Sequence, residues 1–349
     1  VPIKNPSLPI ARPRLQISVS IALALAVPFA ALAQAPATPP AATELPVRAI
    51  PNLGEAAEFY FSPDGKSLIG NAKREGDATH HVYTTTLDGM KIVRINDKGE
   101  DACSFYFPDG KRLLWTSTRD LTDLPKGNWS DPKQYPKGAE IYQSDLEGKN
   151  IKRLTNNMQY DAEAAVSPDG KWILFGRDTD GKMDLWVMSS DGTGEKQITF
   201  TEEWQEGGAQ FLPDSNTILT RAWKRVDEGQ RMMPMQIFTV KRDGSDRRQI
   251  TSEAGTNWAP FPAPDGKHFA YVKILNDTPR PNWEIFMMNM ETGKQTRLTY
   301  NDSFDGFPAF SPDGKLLTFS SGRAAKPGER TLFQYVMDIS SLGIVPAKK

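Results

Sequence analysis

The sequence predicts an all-β fold, a six-bladed β-propeller of four-stranded blades, on three observations. One turn phrase recurs six times, at a repeat length that suits a blade, and three short strand-like segments recur at fixed places around it. The turn reads Phe61-Ser62-Pro63-Asp64-Gly65-Lys66, Phe107-Pro108-Asp109-Gly110-Lys111, Val166-Ser167-Pro168-Asp169-Gly170-Lys171, Leu212-Pro213-Asp214-Ser215, Ala263-Pro264-Asp265-Gly266-Lys267 and Phe310-Ser311-Pro312-Asp313-Gly314-Lys315. Proline presets φ at the first turn position, aspartate bonds its own backbone, and glycine takes the left-handed conformation that follows. The prolines at 63, 108, 168, 213, 264 and 312 are spaced by 45, 60, 45, 51 and 48 residues.

Each turn joins the first and second strands of a blade. Second strands are apolar, as in Leu113–Thr116, Trp172–Phe175, Phe269–Val272 and Leu316–Phe319. Third strands follow at Leu185–Ser189, Ile237–Val240 and Ile285–Asn289. A short outer strand runs into Arg153-Leu154-Thr155, Gln197-Ile198-Thr199, Gln249-Ile250-Thr251 or Arg297-Leu298-Thr299. The sixth repeat runs from Leu332–Asp338 into Ser340-Ser341-Leu342-Gly343 with no fourth strand of its own. Ile50 lies 13 residues before Pro63, as Thr299 lies 13 before Pro312, so Val47–Ile50 is expected to complete the last blade. Closure of this kind removes two free sheet edges; an open sixth blade is the alternative. Phe307, Phe310, Leu317 and Phe319 are expected in the packing between blades.

The expected layout is a signal peptide over 1–33, a Pro/Ala-rich linker over 34–43, a propeller over 44–340 and a tail over 341–349. Lys4, Arg12 and Arg14 precede the apolar run from Ile17 to Ala33, which ends in the small-x-small cleavage signal Ala31-Leu32-Ala33. The run is short and alanine-rich for a stable span, so no membrane insertion is expected after cleavage. Cleavage takes the formal net charge from −1 to −4. The 42 basic and 43 acidic residues give none of the basic surplus of nucleic-acid binders. Cys103 is the single cysteine, which excludes an internal disulfide.

Loops entering the first strand and loops joining the second to the third share one face, where the repeats differ most. The longest insertion, Asp120 to Ala139, carries Trp129 and Tyr135. A second, Trp223 to Gln236, carries Lys224, Arg225, Arg231 and three methionines, and a third runs from Asn276 to Trp283. Aromatic, methionine and arginine side chains are enriched in partner-binding patches. Trp129, Tyr135, Trp223, Arg225 and Trp283 are therefore candidate partner contacts, against the alternative that these loops only pack on the blade tops.

The phrase from Arg297 to Lys315, Arg-Leu-Thr-Tyr-Asn-Asp-Ser-Phe-Asp-Gly-Phe-Pro-Ala-Phe-Ser-Pro-Asp-Gly-Lys, resembles the WD-like repeat of TolB-type propellers, and Arg153 to Lys171 is a second copy. The likeness covers about Leu45 to Ile339. It implies a six-bladed propeller and, for TolB itself, a periplasmic adaptor that contacts the peptidoglycan-associated lipoprotein and Tol membrane partners. TolB carries a folded domain before its propeller, whereas only the linker is expected there in this chain. The resemblance is thus to a stand-alone propeller, and the Tol partners are not carried over. Propellers host many unrelated roles, so the likeness speaks to fold before function.

Seven residues before each turn proline stand Ala56, Asp101, Asp161, Glu206, Asn257 and Asp305. First strands line a propeller's channel, so Asp101, Asp161, Glu206, Asn257 and Asp305 are expected to ring its mouth and contact a basic peptide, ligand or cation. The local alternative ties each acid to its own blade: Arg119 and Arg323 lie 11 residues after Pro108 and Pro312, in blades that carry Asp101 and Asp305. His80 and His81 point to opposite sides of a strand and His268 follows a turn on the far face, so no histidine metal centre is expected. Calcium on the acid ring is the one cofactor alternative, without a calcium-loop spacing to support it. No Gly-x-Ser-x-Gly elbow occurs, and Cys103 in a first strand is expected as a buried thiol.

The expected function is an exported, non-enzymatic scaffold of the bacterial cell envelope, periplasmic or secreted, that binds a protein or peptide and not nucleic acid. The alternatives are a carbohydrate-active hydrolase or lyase working through Asp101, Asp161, Glu206 and Asp305, and a cation or small-ligand binder at the central channel.

Overall fold

The computed structural model describes residues 43–230, 232–275 and 281–347. The expected signal peptide and all of the linker but Thr43 lie outside these residues, as do Arg231 and the first five residues of the Asn276 to Trp283 insertion.

Among the described residues, twenty-four strands form six four-stranded antiparallel sheets. A first strand, β1 (Val47–Ala49), precedes blade 1, which consists of β2 (Glu55–Phe61), β3 (Ser67–Lys73), β4 (His81–Thr86) and β5 (Ile92–Arg94). Blade 2 is β6 (Asp101–Tyr106), β7 (Arg112–Ser117), β8 (Glu140–Asp145) and β9 (Lys152–Arg153). Blade 3 is β10 (Tyr160–Val166), β11 (Trp172–Asp178), β12 (Met183–Ser189) and β13 (Lys196–Gln197). Blade 4 is β14 (Trp204–Phe211), β15 (Thr217–Lys224), β16 (Met235–Lys241) and β17 (Arg248–Gln249). Blade 5 is β18 (Asn257–Pro262), β19 (His268–Leu275), β20 (Asn282–Asn289) and β21 (Gln295–Arg297). Blade 6 is β22 (Asp305–Phe310), β23 (Leu316–Ser321) and β24 (Phe333–Asp338), with β1 as its outer strand.

The ring closes as the sequence predicts. Val47, Arg48 and Ala49 pair with Met337, Val336 and Tyr335, and the Ile50 N–H donates to the Gln334 carbonyl at 2.8 Å. Ile50 then buries its side chain with Phe59, Leu68 and Val336, which joins the two ends of the chain in one apolar cluster. Other clusters form between neighbouring blades in the same way. Phe107, Leu114 and Ile141 of blade 2, for example, pack on Ala164, Ile173 and Phe175 of blade 3.

Two polar devices repeat. In the turns, the Ser62 hydroxyl donates to Asp64 Oδ1 at 2.6 Å and accepts from the Ser67 N–H at 2.9 Å, and Ser167 and Ser311 do the same. At the other end of the blade, the threonine of the Arg-Leu-Thr phrase accepts a buried N–H from the third strand. The pairs are Ile141 to Thr155 (3.0 Å), Leu185 to Thr199 (2.8 Å), Ile237 to Thr251 (2.8 Å) and Ile285 to Thr299 (2.9 Å). Blade 1 has no such threonine, and Asp101 Oδ2 accepts the Val82 N–H instead, at 2.9 Å.

A Thr251→Val substitution keeps the shape but strands the Ile237 N–H in the interior, a loss of about 1–3 kcal/mol. Urea unfolding should show that loss, with Thr251→Ser recovering most of it; a valine variant as stable as wild type would remove this threonine from the account.

Candidate functional site

The inner strand of every blade breaks register once. On β2, Ala57 pairs with Asn71 and Tyr60 with Ile69, so one extra residue bulges out of the ladder, and β6, β10, β14, β18 and β22 do likewise. The residue five before each turn proline sits in the bulge with a positive φ: Glu58 (60°), Cys103 (41°), Glu163 (55°), Gly208 (56°), Ala259 (48°) and Phe307 (53°). All six line one central cavity of about 740 Å³.

Three stacked rings mark its inner end. Tyr60 lies 4.0 Å from Phe105 and 5.6 Å from Phe261, centroid to centroid. Blades 1 and 5 are not neighbours in the ring, so the Tyr60–Phe261 contact spans the axis. Around the opening stand Trp129 and Tyr135 from the blade 2 insertion, Met232 and Met233 from that of blade 4, and Trp258 and Trp283 of blade 5. Tyr135 stacks on Tyr160 at 4.1 Å, and Trp258 meets Trp283 edge-on at 5.9 Å.

Two of the carboxylates that line this cavity, Glu58 and Glu163, stand in bulges and differ in their electrostatic surroundings. Glu163 accepts from Arg221 Nη2 at 2.6 Å and from the Gly208 N–H at 2.5 Å. The pair requires glycine beside it: a Cβ on Gly208 would collide with the Arg221 guanidinium, and one on Gly207 with the Glu163 carboxylate. Burial works against the Arg221 charge, but Glu163 holds it firmly protonated.

Glu58 has no such partner. Its Oε1 accepts from the Tyr60 hydroxyl at 2.9 Å, its Oε2 faces the Cys103 thiol at 3.7 Å, and no ion pair to it forms among the described residues. Burial pushes the Glu58 carboxyl up to about 7, only partly offset by the phenol and the thiol. Burial, then the neighbouring Glu58 and Glu163, push the Cys103 thiol well up, so it is a neutral donor and not a thiolate.

The acids seven before each proline lie elsewhere than the expected channel mouth. Asp101, Asp161, Glu206, Asn257 and Asp305 are between 0% and 3% exposed, and none lines the cavity. The reason is the bulge: strict alternation would put residues two apart on one face, but the register break and positive φ turn the bulge residue to the axis and leave these side chains buried, each with a local partner. Arg177 grips Asp161 with two bonds of 2.6 and 2.7 Å, and Arg247 reaches Glu206 at 3.0 Å. Arg323 bridges Asp305 at 3.2 Å and Glu44 at 2.9 Å. Arg119 acts through Asn96, which it contacts at 2.6 Å while Asn96 donates to Asp101 at 2.6 Å. Asn257 donates to the Met235 carbonyl at 3.3 Å. Burial raises the Glu206 carboxyl to about 7 despite Arg247.

Of the expected loop contacts, Trp129, Tyr135 and Trp283 are half-buried at the opening. Trp223 is fully buried and donates to Glu228 Oε1 at 3.2 Å, so it supports the wall and presents no free surface. Arg225 is exposed and reaches the Gly181 carbonyl at 3.3 Å, outside the cavity lining. Sequence reasoning missed Glu58, Glu163, Arg221 and Trp258. For Glu58 and Glu163 the signal was a shared column, five before the proline, whose residue type varies from blade to blade.

No family model matches the sequence. The uncharacterized protein Atu1656 of Agrobacterium fabrum is 28% identical over 280 residues, 76% of this chain and 83% of its own. A TolB homologue from Chlorobium luteolum is 27% identical over 158 residues, 45% of this chain, which spans only 33% of that relative. Among solved structures, a TolB candidate from Agrobacterium tumefaciens superposes with a TM-score of 0.58 at 23% identity, over 84% of this chain and 96% of that one. An oligogalacturonate lyase in complex with manganese reaches 0.55 at 17% identity, over 85% of this chain and 94% of that one. At these identities the structures speak for the fold. No group of three or more His, Cys, Asp or Glu side chains able to hold a metal ion occurs among the described residues.

Two measurements probe the paired and the unpaired carboxylate. Arg221→Met leaves Glu163 buried without its countercharge and should cost about 3–5 kcal/mol in urea unfolding; a loss below about 1 kcal/mol would show the pair to be solvated. Glu58 binds its proton more tightly folded than unfolded, so stability falls as pH rises from 4.5 to about 7 and stays low above that. Glu58→Gln should therefore stabilise the protein by about 1–3 kcal/mol at pH 8 and have little effect at pH 4. The opposite pH trend would place the Glu58 carboxylate in a charge-stabilising site.

Proposed function

We propose, for a chain whose fold is that of the TolB-like six-bladed propellers, a non-enzymatic scaffold of the bacterial cell envelope that binds a protein or peptide segment at its central cavity. The observation that carries this reading is the opening itself. Two long insertions, from blades 2 and 4, bring tryptophan, tyrosine and methionine to the rim of a cavity whose size suits a few side chains of a partner. Rigid aromatic anchors around a preformed recess are what a binding site needs, since little ordering entropy is lost on docking. The TolB homologue and the TolB-like structure support a role in protein interaction, and with it an exported, periplasmic setting. No helix of the described residues is long and apolar enough to cross a membrane.

The enzymatic reading draws on the lyase likeness and requires an exposed carboxylate pair. Asp101, Asp161, Glu206 and Asp305 are buried and bonded within the sheets, which favours recognition over hydrolysis or elimination.

A photo-crosslinking residue placed at Met233 in the intact envelope, with the captured proteins identified by mass spectrometry, tests this directly. A Trp129→Ala/Trp283→Ala double variant, at two half-buried rim positions where Trp223 is fully buried, should lower capture of the same partner at least tenfold with the fold intact. Undiminished capture would move the binding surface off this opening.

A further inference from the structure

The cavity carries an asymmetry that recognition of a peptide by apolar contact alone leaves unused. Its Glu163 charge is cancelled by Arg221, but its Glu58 charge is answered only by a phenol and a thiol. The remaining lining charges are Glu55, Asp131 and Arg330, with His80 beside Glu55 at 3.8 Å, so the ionised lining is acidic overall. Around the same space stand the rings of Tyr60, Phe105, Phe261, Phe307 and Trp258. A lone carboxylate among aromatic faces is the environment that favours an organic cation, through charge at one end and ring quadrupoles along the sides.

We propose that Glu58 and the surrounding rings form a seat for an alkylammonium group, specifically a lysine side chain of the bound peptide. This deepens the scaffold reading and rests on it. A metal ion fits poorly, because a hard cation needs six or more oxygens where this seat offers one carboxylate. A guanidinium also fits poorly. Glu58 Oε1 is already bonded to Tyr60 and Oε2 faces Cys103, so no open carboxylate edge remains for a two-pronged bond. An ammonium is a compact charge that needs one oxygen, and its four-carbon stem suits the apolar wall.

The strained backbone at Glu58 supports the assignment. Its φ of 60° aims the side chain at the axis, and its N–H is held by Ser320 Oγ of blade 6 at 3.0 Å. The carboxylate is thus fixed from two blades before any ligand arrives.

Calorimetric titration at pH 8 with n-hexylammonium, with 1-hexanol, and with an end-blocked Gly-Gly-Lys-Gly-Gly peptide tests the seat. Hexylammonium should bind at least tenfold tighter than hexanol, Glu58→Gln should erase that preference, and the lysine peptide should show the same dependence on Glu58. Equal binding of amine and alcohol, no binding of either, or indifference to Glu58→Gln would overturn the seat. Amine binding without peptide binding would overturn the lysine assignment in favour of a small amine. Should Glu58→Gln not fold, the wild-type protein still decides: with Glu58 titrating at about 7, hexylammonium affinity should be about tenfold weaker at pH 6 than at pH 8. Arg221, Tyr60 and Cys103 face Glu58 and are all held protonated well above that interval, and a His80→Gln background removes the histidine at the opening. A flat pH profile would overturn the seat. Envelope crosslinking separates this from the broader reading, since capture that survives Glu58→Gln unchanged leaves the scaffold standing and the ammonium seat refuted.

Discussion

The inner strands must pass the axis with one residue more than their partners, and much of this molecule follows from that misfit. Each bulge holds its residue in left-handed backbone, at a cost of about 1–2 kcal/mol where the residue is not glycine. Only Gly208 avoids the cost; Glu58, Cys103, Glu163, Ala259 and Phe307 do not. Packing of buried apolar side chains between adjacent blades offsets it, with single contributions of about 1.5–3 kcal/mol for a side chain such as Phe107, Phe175 or Phe319. The result is a ring of six bulge residues, five of them with side chains, turned out of their sheets and into a shared space, held by a scaffold that closes on itself through β1 and β24.

Charge is distributed over two zones with different logic. Between and within the sheets, acids such as Asp161, Glu284 and Asp305 are wholly buried and each is matched to an arginine, with Glu284 to Arg297 at 3.0 Å as one more case. Removing one member of such a pair is costly, while the intact pair adds little net stability, so these groups fix geometry and register more than they hold the fold together. In the cavity the matching is incomplete. Glu163 with Arg221 braces the wall between blades 3 and 4, and Glu58 of blade 1, whose carboxylate faces Cys103 of blade 2, pairs with no cation among the described residues. That imbalance is the molecule's reserve of binding energy, because a ligand that supplies the missing charge gains what the fold alone does not.

The fold was legible because its punctuation is local. Pro-Asp-Gly sets a turn by φ restriction and hydrogen bonding within six residues, and the Arg-Leu-Thr phrase ends in the threonine that caps a third-strand N–H. Counting these gave the blades, and the matching offset of Ile50 and Thr299 gave the closure. The cavity was less legible because a bulge has no residue signature of its own. Glutamate, cysteine, glycine, alanine and phenylalanine all occupy the same offset, and only the register break shows that they converge. The acids two residues earlier are the more conspicuous in sequence, and they repeat because they are structural. In a repeat protein the column that fails to repeat is the better guide to function. Trp223 misled for a related reason: it opens a loop in sequence, yet its ring lies wholly within the wall.

Glu58 faces the central cavity half-buried and forms no ion pair among the described residues. Carbon-detected NMR titration of the labelled Glu58 side chain measures that state at the atom concerned. A midpoint near 7 that falls when an alkylammonium is added is the predicted result. A midpoint at the ordinary glutamate value of 4.5, unmoved by the amine, would contradict the account.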